Sequence, residues 1–414
     1  MGESVLLIAY FFPPFGQTSS SRSGGMAKYL AHFGWKPIVL TRQWTPENGP
    51  FDPTITTGIP DDIVVTEVIC DTERQSLPRR LLKSVNRLIF PQIVPVEFFE
   101  AATKELPGLS QRFEISAIWA TAPPLCNLTL ADRLSKATGI PWVADFRDVN
   151  QFTDTFGAAL MRPMRLFREQ QVLKSASSII AVSEGFAETL RRRHRRVVDV
   201  IPNGFEPEDV PGPGLTDVFP KFEIVYTGGL NLGRPDFTVL LDALQQLCDS
   251  GTIDANEIAI SFYGGGNEKR IEKLMRHPLG YTIRNYGHIS RREVLNRQRA
   301  ALILLQATSP GTGLLTSKIY EYLTAMRPIL AIPRDDSISK LLRETNAGVC
   351  CTTKQEVMKQ LAEWHAEWKR GEMIAWHGNI AEIMQYSRKQ QAKQTAALLD
   401  RIVFGNGKKC PCRV

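Results

Sequence analysis

Short apolar runs alternate with stretches of helical period along almost the whole chain, and they do so in two series. The first run, Val5 to Tyr10, is continuously apolar, the pattern of a parallel strand covered on both faces. A loop follows, "FFPPFGQTSSS". Met26, Leu30 and Phe33 then recur at i, i+4 and i+7, one face of a helix, which Gly34 ends before the strand "KPIVLT". Further strands are expected over Ile63–Val68, Ile115–Ala120, Pro141–Ala144, Ser178–Val182 and Val197–Ile201, with helices near 97–106, 127–138, 160–175 and 184–193. The segment Pro202 to Phe222, rich in Pro and Gly, interrupts the pattern and reads as a linker. The second series has strands over Glu223–Thr227, Glu257–Tyr263, Tyr281–Asn285, Ala301–Leu305, Ile329–Ile332 and Gly348–Cys351. Its helices lie near 236–249, 267–276, 290–299, 317–326 and 336–344, and two long ones near 354–368 and 377–403 close the chain. Strands alternating with helices build open parallel sheets, whose ligands sit beyond the carboxyl ends of the strands. With two such domains, the cleft between them is the natural site.

The 414 residues exceed what one core holds, and 43% hydrophobic with 22% charged residues is ordinary globular usage. The formal charge of +7 fits a soluble protein or one drawn to an anionic partner such as a nucleotide phosphate or an acidic membrane face. Its basic runs, at Arg79, Arg80, Lys83 and Arg87 and again at Arg191 to Arg196, do not alternate with aromatic residues as in a nucleic-acid module. Seven irregularly spaced cysteines form no disulfide framework, which suits a reducing compartment. No apolar run approaches the roughly 18–20 residues that span a bilayer, and the N-terminus lacks a signal-peptide pattern. The expected location is the cytoplasm.

Four stretches carry residues suited to chemistry. In "TSKIYEYLTAMRPILAIP", Ile319, Leu323 and Met326 give the expected buried face, and Thr316 or Ser317 the cap. Lys318 stands in the first turn, where a cation is unfavourable by roughly 0.3–1 kcal/mol unless an anion sits nearby. Glu321, one turn on, suits a ribose diol. The plain alternative is an ordinary helix with a surface Lys and Glu. In "YTGGLNLGRPDF", Gly228 and Gly229 let the backbone come close to a ligand and Arg234 offers a forked donor to phosphate oxygens. In "PPFGQTSSSRSGG", Gly16 permits close approach at the mouth of the first strand. In "GIPWVADFRD", a buried strand runs into Asp145, Arg147 and Asp148; an Asp–Arg ion pair would explain two of the three charges. Phosphate loops of the GxxxxGKS/T kind, GxSxG elbows, metal-spaced histidines and Asp-x-Asp pairs are all missing. Without a metal or other cofactor, a donor diphosphate would be neutralised by Lys318, Arg234 and helix dipoles.

The blocks "FFPPFGQTSSSRSGGMAKYLAHFGWKPIVLT", "TAPPLCNLTLADRL", "GIPWVADFRD", "ASSIIAVSEGFAETL", "VIPNGFEPED" and "TSKIYEYLTAMRPILA" resemble, in order and spacing, those of the retaining GT-B-fold glycosyltransferases of family four. They are most similar to the bacterial branch that builds surface polysaccharides. The resemblance implies an α/β fold with two Rossmann-like parallel-sheet domains facing a central cleft. Residues 1–203 would form the acceptor-side domain, 204–221 the linker, 222–380 the nucleotide-sugar domain, and 381–404 a helix returning to the first domain. It implies that Lys318 and Arg234 hold the donor diphosphate and Glu321 the ribose. Gly16 would line the donor sugar and phosphate, Arg147 and Asp148 would face the reacting sugar or the acceptor, and Arg22 and Asp145 would lie on the acceptor side. The sequence departs from the branch at Gln17, where a second Gly is frequent, at Val149-Asn150, where Pro-Trp is frequent, and at Gly313, where many relatives carry Glu.

The implied activity is metal-independent transfer of a sugar, with retention, from a nucleotide sugar to a glycan or lipid-linked acceptor. Leu77–Phe90, with Arg79, Arg80, Lys83 and Arg87, would dock on anionic lipid at the inner face of the plasma membrane or pack on its own domain. The other readings are a nucleotide-sugar epimerase of similar architecture and a non-catalytic sugar-nucleotide binder.

Overall fold

A computed structural model describes residues 2–56, 58–70, 94–149, 162–210, 220–229, 237–265, 268–307, 317–371 and 373–405. The chain divides into two compact units, Met1–Asn203 with Arg388–Val414, and Gly204–Ser387.

The first unit is built on seven parallel strands: β1 (Glu3–Ile8), β2 (Trp35–Arg42), β3 (Val64–Val68), β4 (Ile115–Ala122), β5 (Trp142–Phe146), β6 (Ser178–Ala181) and β7 (Asp199–Val200). Their order across the sheet is β3-β2-β1-β4-β5-β6-β7. The chain winds outward from β1 in one direction, then returns to its other side at β4, which makes the β1/β4 junction the topological switch point. Val5, Leu6, Leu7 and Ile8 are all fully buried, which explains their unbroken apolar run.

The helix Thr18–Tyr29 has a weak helix-forming sequence, "TSSSRSGGMAKY". Packing holds it instead. A Cβ on Gly25 would lie 2.8 Å from Cδ of Arg388, and one on Gly24 2.9 Å from Cγ of Pro13. These glycines therefore serve close packing, the first of them against the last long helix, Arg388–Phe404. That helix inserts Ala392, Ala396 and Leu399 into the core beside Met26, Leu30 and Trp35. Trp35 Nε1 donates to Asp400 at 2.9 Å.

The second unit has six parallel strands: β8 (Phe222–Thr227), β9 (Ile258–Tyr263), β10 (Ile283–Asn285), β11 (Ile303–Ala307), β12 (Ile329–Ile332) and β13 (Gly348–Cys350). Their order is β10-β9-β8-β11-β12-β13, with the switch point between β8 and β11. Phe222, Ile224 and Tyr226 of β8 alternate onto one core, while Val225 faces another.

The structure differs from the sequence reading at two helices. The expected helix 377–403 is broken into Ile380–Met384 and Arg388–Phe404. Between them the chain forms a backbone bridge from Ser387 to Phe205, and Phe205 N–H donates to the Tyr386 carbonyl at 3.4 Å. The helix at Lys318 ends at Thr324, and Met326 follows with a left-handed φ of 56°. Met326 is thus outside the buried face, which Ile319, Tyr320, Tyr322 and Leu323 form. Among the described residues no helix is long and apolar enough to cross a membrane.

Candidate active site

At the second unit's switch point, Gly228 directly follows β8, and the helix Ser317–Thr324, which carries Lys318, comes after β11 in the chain. The Lys318 ammonium lies 3.9 Å from the centroid of the Tyr226 ring, a cation–π distance. A Cβ on Gly228 would come 2.5 Å from the Lys318 Nζ, and Gly228 has φ 129°. Glycine at 228 is required twice, by backbone conformation and by the lysine's space. Burial pulls the Lys318 ammonium down to about 7, and the Glu321 carboxylate only partly opposes this. The same burial pushes the Tyr226 hydroxyl up to about 12. A cation held this way in a confined, partly apolar place gains most from an arriving anion, because the anion supplies the counter-charge that water no longer supplies.

The lysine's helix is fixed to β8 by a buried network. Thr227 N–H donates to the Tyr322 hydroxyl at 2.9 Å, and Gln298 Nε2 donates to Thr227 Oγ1 at 2.9 Å. Burial raises the Tyr322 hydroxyl well above its ordinary range, so it stays protonated. Glu321 is half-buried on the same helix, in the field of Arg291. Gly229 accepts from the Tyr226 hydroxyl through its carbonyl at 3.4 Å. Arg234, Thr316 and Gly313 lie outside the described residues, as do Arg79, Arg80, Lys83, Arg87 and Asn150.

The rim continues across β9 and β10. Gly228 N–H donates to the Tyr263 carbonyl and Gly264 N–H to the Gly287 carbonyl, each at 2.7 Å. Gly264, at φ 147°, approaches so closely that a Cβ would lie 2.5 Å from the Gly228 carbonyl oxygen. Beyond it the Tyr263 and Tyr286 rings stack, centroids 4.6 Å apart and 7° from parallel. Tyr286 is 52% exposed, so one aromatic face is open. Sequence reasoning missed this pair. The only signal was a tyrosine at the end of each strand region, 23 positions apart, which no short motif joins.

In the first unit the expected acceptor-side pair is corrected. Arg22 and Asp145 form a buried ion pair, Nη2 to Oδ1 at 2.7 Å and Nε to Oδ2 at 2.9 Å, with 2% and 0% of the side chains exposed. Thr121 Oγ1 donates to the same carboxylate at 2.9 Å, and Arg22 also donates to the carbonyls of Ile201 and Pro202. Both groups are satisfied below the surface. They tie the glycine-rich helix, β4, β5 and the end of β7 together and have no face left for an acceptor. Asp145 pairs with Arg22 and not with Arg147.

Arg147 instead donates to the carbonyls of Ser19 and Pro123, at the switch point of the first sheet. Burial lowers its guanidinium to about 10; Asp145 opposes that and the like charge of Arg22 adds to it. Asp148 is half-buried next to it. Gly16 donates its N–H to the Pro50 carbonyl at 3.0 Å, and a Cβ there would lie 3.1 Å from Cβ of Asp52. Packing of residues 50–52 is therefore a sufficient reason for glycine at this position. Among the described residues no group of three His, Cys, Asp or Glu could hold a metal ion.

Two Rossmann-like parallel sheets, each with a topological switch point, are the GT-B architecture. Residues 19–204 match the glycosyl transferase 4-like domain family. The match lies, but for its last residue, within the first unit, which carries a glycosyl transferase 4-like domain. In structure it is similar over 96% of its length to HepE of Anabaena, solved in complex with UDP, which is covered to 99%, with a TM-score of 0.65 and 14% identity. It is similar to sucrose-phosphate synthase of Thermosynechococcus elongatus, with 96% and 98% covered, TM-score 0.60 and 16% identity. It is also similar to WaaG, a glycosyltransferase involved in lipopolysaccharide biosynthesis, with 95% and 99% covered, TM-score 0.61 and 14% identity. At such identities these likenesses speak to the fold. No curated protein matches the chain in sequence.

Proposed function

We propose that the chain transfers a sugar from a nucleotide-sugar donor held by the second unit to a glycan or lipid-linked acceptor, with retention and without a metal ion. The observation that carries this reading is the Lys318 ammonium seated over Tyr226 against Gly228, with its proton affinity lowered by burial. A donor diphosphate at that point would be met by Lys318, by the amides of the helix N-terminus and by Arg234. Glu321 would take the ribose hydroxyls, and the open face of Tyr286 on Tyr263 would carry the base. That HepE was solved with UDP makes UDP the first donor head to try.

Stabilising the leaving phosphate would lower the barrier to breaking the sugar's bond, and the phosphate could itself accept the acceptor's proton. Arg147 and Asp148 would then bear on the reacting sugar, with Gly16 lining it. The work would take place in the cytoplasm at the inner membrane face, with Arg79, Arg80, Lys83 and Arg87 against anionic lipid.

Calorimetric titration with UDP and UDP-glucose in EDTA tests the reading. Saturable binding is expected in the parent. Lys318→Ala should weaken it by about 10–100-fold, the loss of a charged hydrogen bond of about 1.5–3 kcal/mol. Equal binding by both proteins, or binding that appears only with added Mg2+, would refute the assignment. Incubation with donor alone separates an epimerase, which returns an epimer, from a transferase, which does not.

A further inference from the structure

Two tiers of polar contacts cross the carboxyl end of the first sheet and join the same three segments. The lower tier is buried. Arg22 pairs with Asp145, and Asp145 accepts from Thr121 Oγ1. Asn127, fully buried near the start of the helix Cys126–Thr138, completes it by donating Nδ2 to the Thr121 carbonyl at 2.7 Å. The upper tier is centred on Arg147, two residues past Asp145. Its guanidinium donates to the carbonyl of Pro123, two residues past Thr121, and to that of Ser19, one turn before Arg22. Its backbone N–H donates to the Ala122 carbonyl at 2.8 Å.

Both acceptors of the Arg147 guanidinium are main-chain carbonyls. A carbonyl cannot swing after its donor as a side-chain carboxylate can, so the aim of Arg147 depends on what fixes those two stretches of backbone. Ser19 is fixed through Arg22 on its own helix, and Pro123 through Thr121 and Asn127. The same helix also sets the ring beside the guanidinium. Ser23 Oγ donates to the Phe11 carbonyl at 2.7 Å, and the Phe11 ring lies 5.9 Å from the Arg147 guanidinium carbon. Phe11 is braced in turn by Trp44, with centroids 6.0 Å apart and rings 12° from parallel. A guanidinium is planar and rigid, so acceptors at both Nη groups and a neighbouring ring fix its orientation. Burial lowers its proton affinity to about 10, and its Nε has no acceptor among the described residues. Holding such a cation on neutral groups costs stability. A staple for the fold would need only the Arg22–Asp145 pair. It would not explain why each segment of that tier also supplies a partner to Arg147.

We propose that Thr121 and Asn127 are positioning residues for Arg147. Together with the Arg22–Asp145 pair they hold the Ser19 and Pro123 carbonyls in place, and so set the direction in which Arg147 presents its charge. Both act through Arg147 and not on the sugar, as hydrogen-bonded supports do for a group that must be aimed closely. The proposal rests on the reading that Arg147 bears on the reacting sugar and adds the residues that aim it.

Side-chain nuclear magnetic resonance of the full chain, labelled with nitrogen-15 at arginine, tests this without an acceptor. A guanidinium held at both Nη groups turns slowly about its Nε–Cζ bond and shows the two groups as separate signals. A loose one shows them merged. Arg147→Lys identifies the signals of Arg147. In the parent they should be separate. Asn127→Ala and Thr121→Val should each merge them, while arginine signals outside this cluster and the circular dichroism stay unchanged. Thr121→Ser, which keeps the hydroxyl, should keep them separate.

Merged Arg147 signals in the parent overturn the proposal, as do separate signals in both Asn127→Ala and Thr121→Val. Unfolding of both variants would show a structural role alone and overturn it too. Calorimetric titration of the same proteins with UDP keeps the two readings apart. The positioning variants should bind UDP as the parent does. A parent that does not bind UDP refutes the donor reading, whatever the Arg147 signals show.

Discussion

The two sheets end in the same topological feature and treat their charges in opposite ways. At the switch point of the first, Arg22 is neutralised by Asp145 and capped by Thr121 and two carbonyls, all below the surface. At that of the second, Lys318 lies over an aromatic ring in space left by a glycine, and burial has drawn its proton affinity down to about 7. A buried cation with its counter-ion holds a fold together. One without a close counter-ion is a place where an anion is missing.

The comparison breaks most sharply at Asp145. Asp145→Asn leaves the Arg22 guanidinium buried without its negative partner, and a loss of about 3–5 kcal/mol is expected. Chemical denaturation should show it in the first unit's transition, while UDP binding under native conditions persists. A loss below about 1 kcal/mol would mean that water reaches the pair. Lys318 should behave in the opposite sense. Its folded proton affinity lies below the ordinary lysine value, so protonation favours the unfolded chain and the native state gains stability as pH rises from about 7 toward about 10.5. Lys318→Met should therefore raise the melting temperature at pH 7 while weakening donor binding as Lys318→Ala does. A lower melting temperature would show that the lysine is a structural cation.

Gly228→Ala comes next. It places a methyl group on the lysine's ammonium and a side chain in a backbone conformation that disfavours one, a strain of about 1–3 kcal/mol, and should weaken UDP binding along with stability. Tyr286→Ala is the mildest. The ring is exposed and, among the described residues, stacks on Tyr263 alone, so stability should hardly change, while loss of base stacking of about 1 kcal/mol would weaken UDP roughly fivefold and leave inorganic pyrophosphate unaffected. Equal weakening of both ligands would place the ring near the phosphates instead.

What the sequence disclosed and what it withheld follow from the range of the interactions. The continuous run at Val5 to Ile8 and the alternation in β8 read as strands because burial of a parallel sheet writes itself into neighbouring residues. Lys318 was legible for the same reason: a cation in the first turn of a helix conflicts with the local dipole, and the conflict spans only a few positions. The partner of Asp145 lies 123 residues away, so its ion pair looked like an acceptor-side pair. The stacking of Tyr286 on Tyr263 and of Phe11 on Trp44 depends on how strand ends meet across a sheet, which periodicity does not encode. The break at Gln385 to Ser387 was hidden likewise, since Phe205 imposes it from the far end of the second unit. Gly24 and Gly25 read as loop-like residues, yet they allow a helix to pack closely.

Nuclear magnetic resonance of protein labelled with carbon-13 at lysine Cε follows the Lys318 ammonium directly, with Lys318→Met identifying its signal. In the free protein its titration midpoint should lie near 7, and saturating UDP should move it upward, because the diphosphate restores the missing counter-charge. A midpoint near that of an ordinary lysine, unmoved by UDP, would contradict the account.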